Sequence, residues 1–158
     1  MGRLLSRPLV LASGSPQRKT LLKSLGVPFE ILPSDVSEAS REKSPKRLVI
    51  LLAKRKAKAV AKLRPDALVL GSDTLVVCKG RIIGKPKDRK DALRILGLLN
   101  GSWQKVYTGV AIARNGGKSV VSGAAISRVK ARRLDDAMLA RLAGKHMDKA
   151  GAYAVQDE

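Results

Sequence analysis

Residues 46–72, KRLVILLAKRKAKAVAKLRPDALVLGS, join the strongest predicted helix of the chain to a predicted buried strand. At about 100° per residue, the apolar side chains of the helix over Lys46–Leu63 fall on one side, and they are Val49, Leu52, Ala53, Val60 and Leu63. The apolar run Ala67–Ser72 is short enough for a strand that is covered on both faces. A helix followed at once by such a strand is typical of a fold in which helices pack on a sheet.

Helices and strands also alternate in the rest of the chain. Further helices are predicted to begin at two capping residues, Ser15 and Asp88, and a short helix is predicted over Asp135–Leu142. The first of them is expected to pack through Leu21, Leu22 and Leu25. Further strands are predicted over Leu9–Ser13, Phe29–Leu32, Thr74–Cys78, Arg81–Gly84, Val106–Ala113 and Ser119–Arg132, with a tight turn at Lys79-Gly80. The pattern indicates one domain, residues 1–158, of the α/β or mixed α+β class.

The chain carries a formal net charge of +19, with 32 Lys and Arg against 13 Asp and Glu. Such an excess predicts attraction to an anionic partner, which could be nucleic acid, an anionic membrane surface or a phosphorylated small molecule. Only 3% of the residues are aromatic, which argues against a surface on which single-stranded bases stack. The cations are spread along the chain, so the charge alone does not choose among these partners.

Cysteine, histidine and the apolar runs exclude several classes of protein. The single cysteine, Cys78, excludes an internal disulfide framework and fits a reducing compartment. The single histidine, His146, excludes a zinc site built from several histidines. The apolar runs are far shorter than a membrane span, and the start MGRLLSRPLVLAS continues into a predicted strand, unlike a signal peptide. We therefore expect a cytoplasmic protein with no membrane partner.

Two charged residues interrupt apolar patterns. Lys56 lies near the middle of the apolar side of the long helix, between Leu52 and Val60. It either extends its ammonium group to the rim of the core or meets an anion inside. Asp73 interrupts a run that otherwise has the pattern of a buried strand. It either starts a turn or needs cations or a metal nearby, because an unpaired buried carboxylate is costly.

The segment LASGSPQRKTLL, residues 11–22, places small residues before two cations at the start of a helix. Ser15 and Pro16 are suited to begin that helix, and its free backbone N–H groups suit an anion. Arg18 lies on the core side of the helix, which a bound phosphate would explain. By themselves, Lys85 in IIGKPKD and Glu38 in SDVSEAS are ordinary loop residues.

Seven segments in a fixed order carry a resemblance to a known family. They are LASGSPQRKTLL, SDVSE, LLAKRKAKAV, GSDTLVV, GKPKDRKDALRIL, GSWQKVYTGVAI and DKAGAYAVQ. Together they resemble the Maf family of nucleoside triphosphate pyrophosphatases, which release pyrophosphate and a monophosphate with the help of a divalent cation. The resemblance implies an elongated α/β fold, in which helices flank a mixed, twisted sheet with a central nucleotide cleft. Because members of that family are often homodimers, the resemblance also implies a homodimer as a possible assembly of this chain.

The resemblance assigns roles to individual residues. It implies that Asp73 is the general base that activates water, and that Glu38 and Asp73 hold the metal, Mg or Mn. The residues implied to bind the phosphates of the substrate are Ser13, Arg18, Lys56 and Lys85. Those implied to set the base preference are Gln17, Thr74 and Gln156. These roles agree with the physics of phosphoryl transfer, in which positioning and charge neutralisation do most of the work.

Within the family, DKAGAYAVQ resembles the branch that acts on dTTP and UTP. Two features depart from the family pattern. Gln17 replaces the first arginine of the usual Ser-Pro-Arg-Arg, at a position linked to substrate choice. The chain also ends at Glu158, before the strand and helix with which family members normally continue.

We therefore expect a nucleoside triphosphate pyrophosphatase that takes dTTP or UTP. Two alternatives remain open. One is a nucleotide- or nucleic-acid-binding protein that has lost catalysis; the +19 charge favours it, although nucleic acid is not the expected partner. The other is a regulator of septum formation in cell division, for which the sequence itself offers no support.

Overall fold

The structure of the protein is a computed structural model that describes residues 7–153. Its strands are β1 (Leu9–Leu11), β2 (Glu30–Ile31), β3 (Leu68–Cys78), β4 (Arg81–Ile83), β5 (Trp103–Arg114) and β6 (Ser119–Lys130). Its helices are α1 (Pro16–Ser24), α2 (Pro45–Leu63), α3 (Arg89–Leu99) and α4 (Asp136–Leu142), with a 3-10 turn at Asn115–Gly117. None of the helices in this range combines the length and the apolar character that a membrane span requires.

The strands form a mixed sheet in the order β2-β1-β3-β5-β6, and β4 pairs with β3. β1 runs parallel to both β2 and β3, whereas β4 is antiparallel to β3 and follows it through Lys79 and Gly80. Both turn residues have a positive φ, 50° and 75°, as a two-residue hairpin turn of this kind requires. The predicted hairpin and the predicted α/β class are confirmed.

The chain divides into two compact units, one of Met1–Asp73 with Thr108–Ala125 and one of Thr74–Tyr107 with Ile126–Glu158. Each unit has a buried apolar core of its own. The core of the first unit comprises Val10, Ala12, Ala53, Ala57, Val60, Ala61, Ala67, Val69, Ala111 and Ala113. The core of the second comprises Val76, Cys78, Ile83, Ala92, Ile95, Leu96, Leu99, Leu139, Ala143 and Ala152.

Two glycines let α2 lie directly on the sheet of the first unit. A Cβ on Gly71, in β3, would stand 2.4 Å from the carbonyl oxygen of Ala53, and one on Gly109, in β5, would stand 2.2 Å from that of Val49. Both distances are far below van der Waals contact, so only glycine permits so close an approach of strand and helix. The helix is therefore held tightly against the strand that carries Asp73.

Three of the predicted core positions are wrong. Leu21 and Leu25 are 68% and 69% exposed, and Leu63 is 70% exposed. α1 is short and polar around most of its surface, so a single buried side chain, Leu22, anchors it. Leu63 is the last residue of α2, nearly one turn beyond the buried Val60, and the core does not reach it.

Candidate active site

Three charged side chains meet where α2 faces β3 in the first unit. The Nζ of Lys56 donates to Oδ1 of Asp73 over 2.6 Å and to Oε1 of Glu38 over 2.7 Å. The side chains of Lys56 and Asp73 are 11% and 8% exposed, whereas that of Glu38 is 53% exposed. The two residues that interrupt apolar patterns in the sequence are therefore partners. Asp73 does not start a turn, because β3 runs through it without interruption.

The close packing of α2 on β3 explains this ion pair. Lys56 lies on the buried face of α2, between Ala53 and Val60. Gly71, two residues before Asp73, brings the helix close enough for the ammonium group to reach the carboxylate. Taking either charge out of water alone would be costly, and the short contact between them offsets part of that cost.

A second pair lies in the segment that follows β1. The Nη1 of Arg18 donates to Oγ of Ser13 over 3.1 Å, and the backbone N–H of Ser15 donates to the same oxygen over 3.2 Å. Burial lowers the pKa of Arg18, and the negative charges of Asp73 and Glu38 oppose part of that decrease. Arg18 is thus near enough to both carboxylates to respond to their charge. We call Ser13, Arg18, Glu38, Lys56 and Asp73 the Lys56 cluster.

The loop that carries Glu38 is held by a residue that sequence analysis does not single out. The Nη1 of Arg55 donates to the carbonyl oxygens of Ser37 and Ala39, the latter over 3.0 Å. These carbonyls flank Glu38, and the N–H of Ala39 also donates to Oγ of Ser37 over 3.2 Å. Adjacent residues of α2 therefore hold the backbone and the carboxylate of Glu38. Helical periodicity could not reveal this, because the partner of Arg55 is a loop whose path the sequence does not show.

The side-chain charges of the Lys56 cluster balance, with two cations and two carboxylates. A bound triphosphate carries several negative charges and would therefore call for a further cation. Among residues 7–153, no group of three or more His, Cys, Asp or Glu side chains could hold a metal ion by itself. The pair Glu38 and Asp73 nevertheless fits Mg²⁺, an ion usually bound by one or two carboxylates together with waters and substrate phosphates.

The remaining predicted site residues are not members of the Lys56 cluster. Gln17 is exposed in the first turn of α1, and its Oε1 accepts from Oγ of Ser15 over 3.2 Å. Ser15 stands at the N-cap of α1 without a side-chain capping bond. Thr74 and Lys85 belong to the second unit, where Thr74 is half-buried in β3 and Lys85 is exposed between β4 and α3. Gln156 lies outside the described residues, and the roles of Gln17, Thr74, Lys85 and Gln156 stay predictions.

Residues 8–158 match the model of one protein family, described as Maf, Maf-like protein. The chain belongs to the Maf family. The family predicted from the seven segments is confirmed. A dTTP/UTP pyrophosphatase of Elusimicrobium minutum is 55% identical to this Maf chain over 150 residues, which cover 95% of the chain and 82% of the relative.

Other proteins similar to this Maf chain carry related names. A dTTP/UTP pyrophosphatase of Moorella thermoacetica is 48% identical over 153 residues, which cover 94% of the chain and 78% of the relative. Among solved structures, a nucleoside-triphosphatase / dITP/XTP pyrophosphatase from Mycobacterium abscessus aligns with 80% of the chain and 75% of its own length. Its TM-score is 0.48 and its sequence identity is 12%.

The Lys56 cluster gives this Maf protein three chemical capabilities. Asp73 offers a buried carboxylate held in one orientation, which can accept a proton. Glu38 offers a more exposed carboxylate on a fixed loop, which can share a cation with a ligand. Arg18, at the start of α1, offers a guanidinium next to a helix N-terminus, which suits a phosphate group.

Proposed function

We propose that this Maf chain hydrolyses nucleoside triphosphates, with dTTP and UTP as substrates, to the nucleoside monophosphate and pyrophosphate. The observation that carries the proposal is the pairing of Lys56 with both Asp73 and Glu38, close to Arg18. It provides a fixed carboxylate beside cations, as the hydrolysis of a phosphoric anhydride needs. The relatives named dTTP/UTP pyrophosphatase support the choice of substrate.

Asp73 acts as the general base in this proposal. Its Oδ1 accepts from Lys56, so Oδ2 takes a proton from a water molecule while the water oxygen bonds to the α-phosphorus. The bond from that phosphorus to the bridging oxygen breaks, and pyrophosphate leaves with the electron pair. Because Lys56 already orients the carboxylate, Asp73 needs no rearrangement to meet the water.

Arg18 and Ser13 bind phosphate oxygens in this proposal. The guanidinium of Arg18 is pre-oriented by its hydrogen bond to Oγ of Ser13, and the free N–H groups at the start of α1 suit an anion. Glu38 and Asp73 would hold a divalent cation, Mg²⁺ or Mn²⁺, together with substrate phosphates, and such a cation supplies the positive charge that the balanced cluster lacks.

The family resemblance extends the proposal to residues outside the cluster. We assign Lys85 to phosphate binding and Gln17, Thr74 and Gln156 to the choice of base. The amide of Gln156 can offer both a donor and an acceptor to a pyrimidine edge. We place the reaction in the cytoplasm, a compartment that the free, buried Cys78 fits.

The test is pyrophosphate release from dTTP, UTP, CTP and 7-methyl-GTP in the presence of Mg²⁺ or Mn²⁺. We expect turnover of dTTP and UTP to exceed that of the other two, and Asp73→Asn to lower it by about 10²–10⁴-fold, as loss of a general base does. Asp66→Asn, which removes the same charge at an exposed residue paired with Arg64, should leave turnover unchanged. Absence of pyrophosphate from all four substrates would refute the proposal, and full turnover by Asp73→Asn would refute the role of Asp73.

A further inference from the structure

A groove in the second unit gathers cations that the proposed reaction does not use. Four basic side chains line it, from Lys79, Lys130, Arg132 and Arg133. None of the described residues that line it is acidic, and it has a volume of about 660 Å³. We call it the basic groove. The sequence shows a net charge of +19, and the charge-balanced Lys56 cluster leaves that excess unexplained.

Hydrogen bonds at both ends fix the segment that carries the two arginines of the basic groove. The Nδ2 of Asn100 donates to the carbonyl oxygen of Leu134 over 2.9 Å, and the N–H of Leu134 donates back to Oδ1 of Asn100 over 2.8 Å. At the other end, the N–H of Ala131 donates to the carbonyl oxygen of Ser102 over 3.1 Å. Arg132 and Arg133 thus stand on an anchored stretch, which limits the entropy lost when they bind a ligand.

Gly101 lies beside the stem of one of these arginines. Its φ is +65°, and a Cβ added there would lie 3.7 Å from Cβ and 3.9 Å from Nε of Arg133. The stem of Arg133 therefore runs along the backbone of Gly101. The alkyl stem can pack there while the charge of the exposed Arg133 stays in solvent.

An exposed aromatic ring adjoins the basic groove. Trp103, the single tryptophan of the chain, is 55% exposed. Cζ of Arg128 lies 4.9 Å from the centre of the ring and Nζ of Lys130 lies 5.8 Å from it. Lys130 both lines the groove and lies over the ring, so Trp103 adjoins the groove. A base stacked on the ring would take the place of one of these cations.

Among the described residues, no carboxylate neutralises the cations of the basic groove. Within residues 7–153, no ion pair joins any of the four to a carboxylate. Like charges that line one groove repel one another, and a run of negative charges would relieve that repulsion. A single phosphate could contact only some of the four cations, so the groove favours a ligand with several linked phosphates.

We propose that the basic groove binds the phosphate backbone of a single-stranded nucleic acid while one base stacks on Trp103. A single strand fits better than a duplex, since only unpaired bases present a face to an exposed ring. The low aromatic content argues against a long stacking platform, but one ring suffices for one base. None of these residues belongs to the Lys56 cluster, so this binding does not depend on the proposed function.

The single tryptophan makes the test direct. A roughly 12-nucleotide oligothymidylate, within the range of sites for single strands, is titrated against the full chain while the fluorescence of Trp103 and the anisotropy of a labelled copy are followed. With four phosphate contacts, the slope of log K against log salt should be about −2.8, which is a loss of about 50-fold in affinity between 50 and 200 mM salt. The tryptophan emission should be quenched on binding.

Two variants of equal charge separate the groove from the net charge. The groove variant Lys130→Gln/Arg132→Gln/Arg133→Gln should weaken binding at least about 20-fold and lower the salt slope by about 2. The control variant Lys23→Gln/Lys46→Gln/Lys62→Gln removes three exposed lysines that do not line the groove. Its affinity for the oligonucleotide should stay within about threefold of that of the unaltered chain. Trp103→Phe should retain binding, whereas Trp103→Ala should weaken it about tenfold.

Several outcomes would overturn the proposal. Equal losses in the two triple variants would mean that net charge alone attracts the oligonucleotide. Unchanged Trp103 emission at saturation would refute the stacked base. Equally tight binding of a duplex of the same length, or of inorganic polyphosphate with the same quenching, would refute a single strand as the ligand. Pyrophosphate release by both triple variants should match that of the unaltered chain, so failure of the proposed function would be seen separately.

Discussion

The Nζ of Lys56 lies 2.6 Å from Oδ1 of Asp73, although the two residues are 17 positions apart in the chain. One belongs to a helix and the other to the strand beneath it. Each charge would be strongly unfavourable in this environment without the other. The residues proposed to do the chemistry are thus also part of what holds the first unit together, and the two roles can be separated by mutation.

Lys56→Met should destabilise the protein by about 3–5 kcal/mol, because it leaves the carboxylate of Asp73 buried without its cation. The double variant Lys56→Met/Asp73→Asn should recover a large part of that loss, since no uncompensated charge remains. Neither variant should release pyrophosphate. Urea unfolding of the three proteins measures the effect, and a double variant less stable than Lys56→Met would contradict it.

Sequence reasoning identifies Lys56 and Asp73 but does not pair them. Each is detectable because a charge interrupts an apolar pattern, and each therefore needs a partner. Lys56 and Asp73 become partners because α2 approaches β3 closely. This is a tertiary contact, which local periodicity cannot predict. A glycine within a strand pattern is the available signal, because it indicates close backbone approach. The same limit explains Leu21 and Leu63, whose apolar character predicts burial where the core does not extend.

Gly71→Ala should test whether that close approach positions the site. The added methyl group would stand 2.4 Å from the carbonyl oxygen of Ala53, so α2 must shift away from β3 at a cost of about 1–3 kcal/mol. Pyrophosphate release should fall along with thermal stability. Gly123→Ala is the matched control, because Gly123 also lies in a strand and a Cβ there would meet nothing within 4 Å. Equal melting temperatures for the two variants would show that α2 tolerates the methyl group.

The acid stability of the first unit should depend on Arg64, the C-cap residue of α2, which pairs with Glu30 and Asp66. Hydrogen bonds from Arg64 lower the pKa of Glu30 and of Asp66 in the folded protein. In acidic solution the unfolded chain therefore binds more protons than the folded protein. The ion pairs of Arg64 stabilise the fold at a pH above the unfolded pKa values of Glu30 and Asp66, about 4. This stabilisation is lost as the pH falls through the pKa values of the two carboxyl groups in the folded protein.

Urea midpoints measured between pH 7 and pH 3 test this dependence. Arg64→Gln should flatten the decline in stability between about pH 4.5 and pH 3. Without Arg64, the carboxylates of Glu30 and Asp66 titrate more nearly alike in the folded and unfolded states. Lys62→Gln, which removes an exposed cation two positions earlier, should keep the decline of the unaltered protein. Parallel curves for Arg64→Gln and the unaltered chain would assign the acid sensitivity to other carboxylates.

Arg55 should matter for catalysis only through Glu38. Its guanidinium donates to the carbonyl oxygens on either side of that residue, and bonds from a charged donor contribute about 1.5–3 kcal/mol each. Arg55→Met should therefore lower kcat/KM about tenfold by releasing the loop. In a Glu38→Gln background the same change should cost less than about twofold, because the group being positioned is already gone.

Lys58→Met is the control for the lost charge, since Lys58 is exposed on the same helix. It should leave kcat/KM unchanged in both backgrounds. Amide hydrogen exchange adds a readout that needs no turnover: the N–H of Ala39, which donates to Oγ of Ser37, should exchange faster in Arg55→Met and not in Lys58→Met. Additive losses in kcat/KM for Arg55→Met and Glu38→Gln would show that Arg55 acts by another route, whatever happens to the loop.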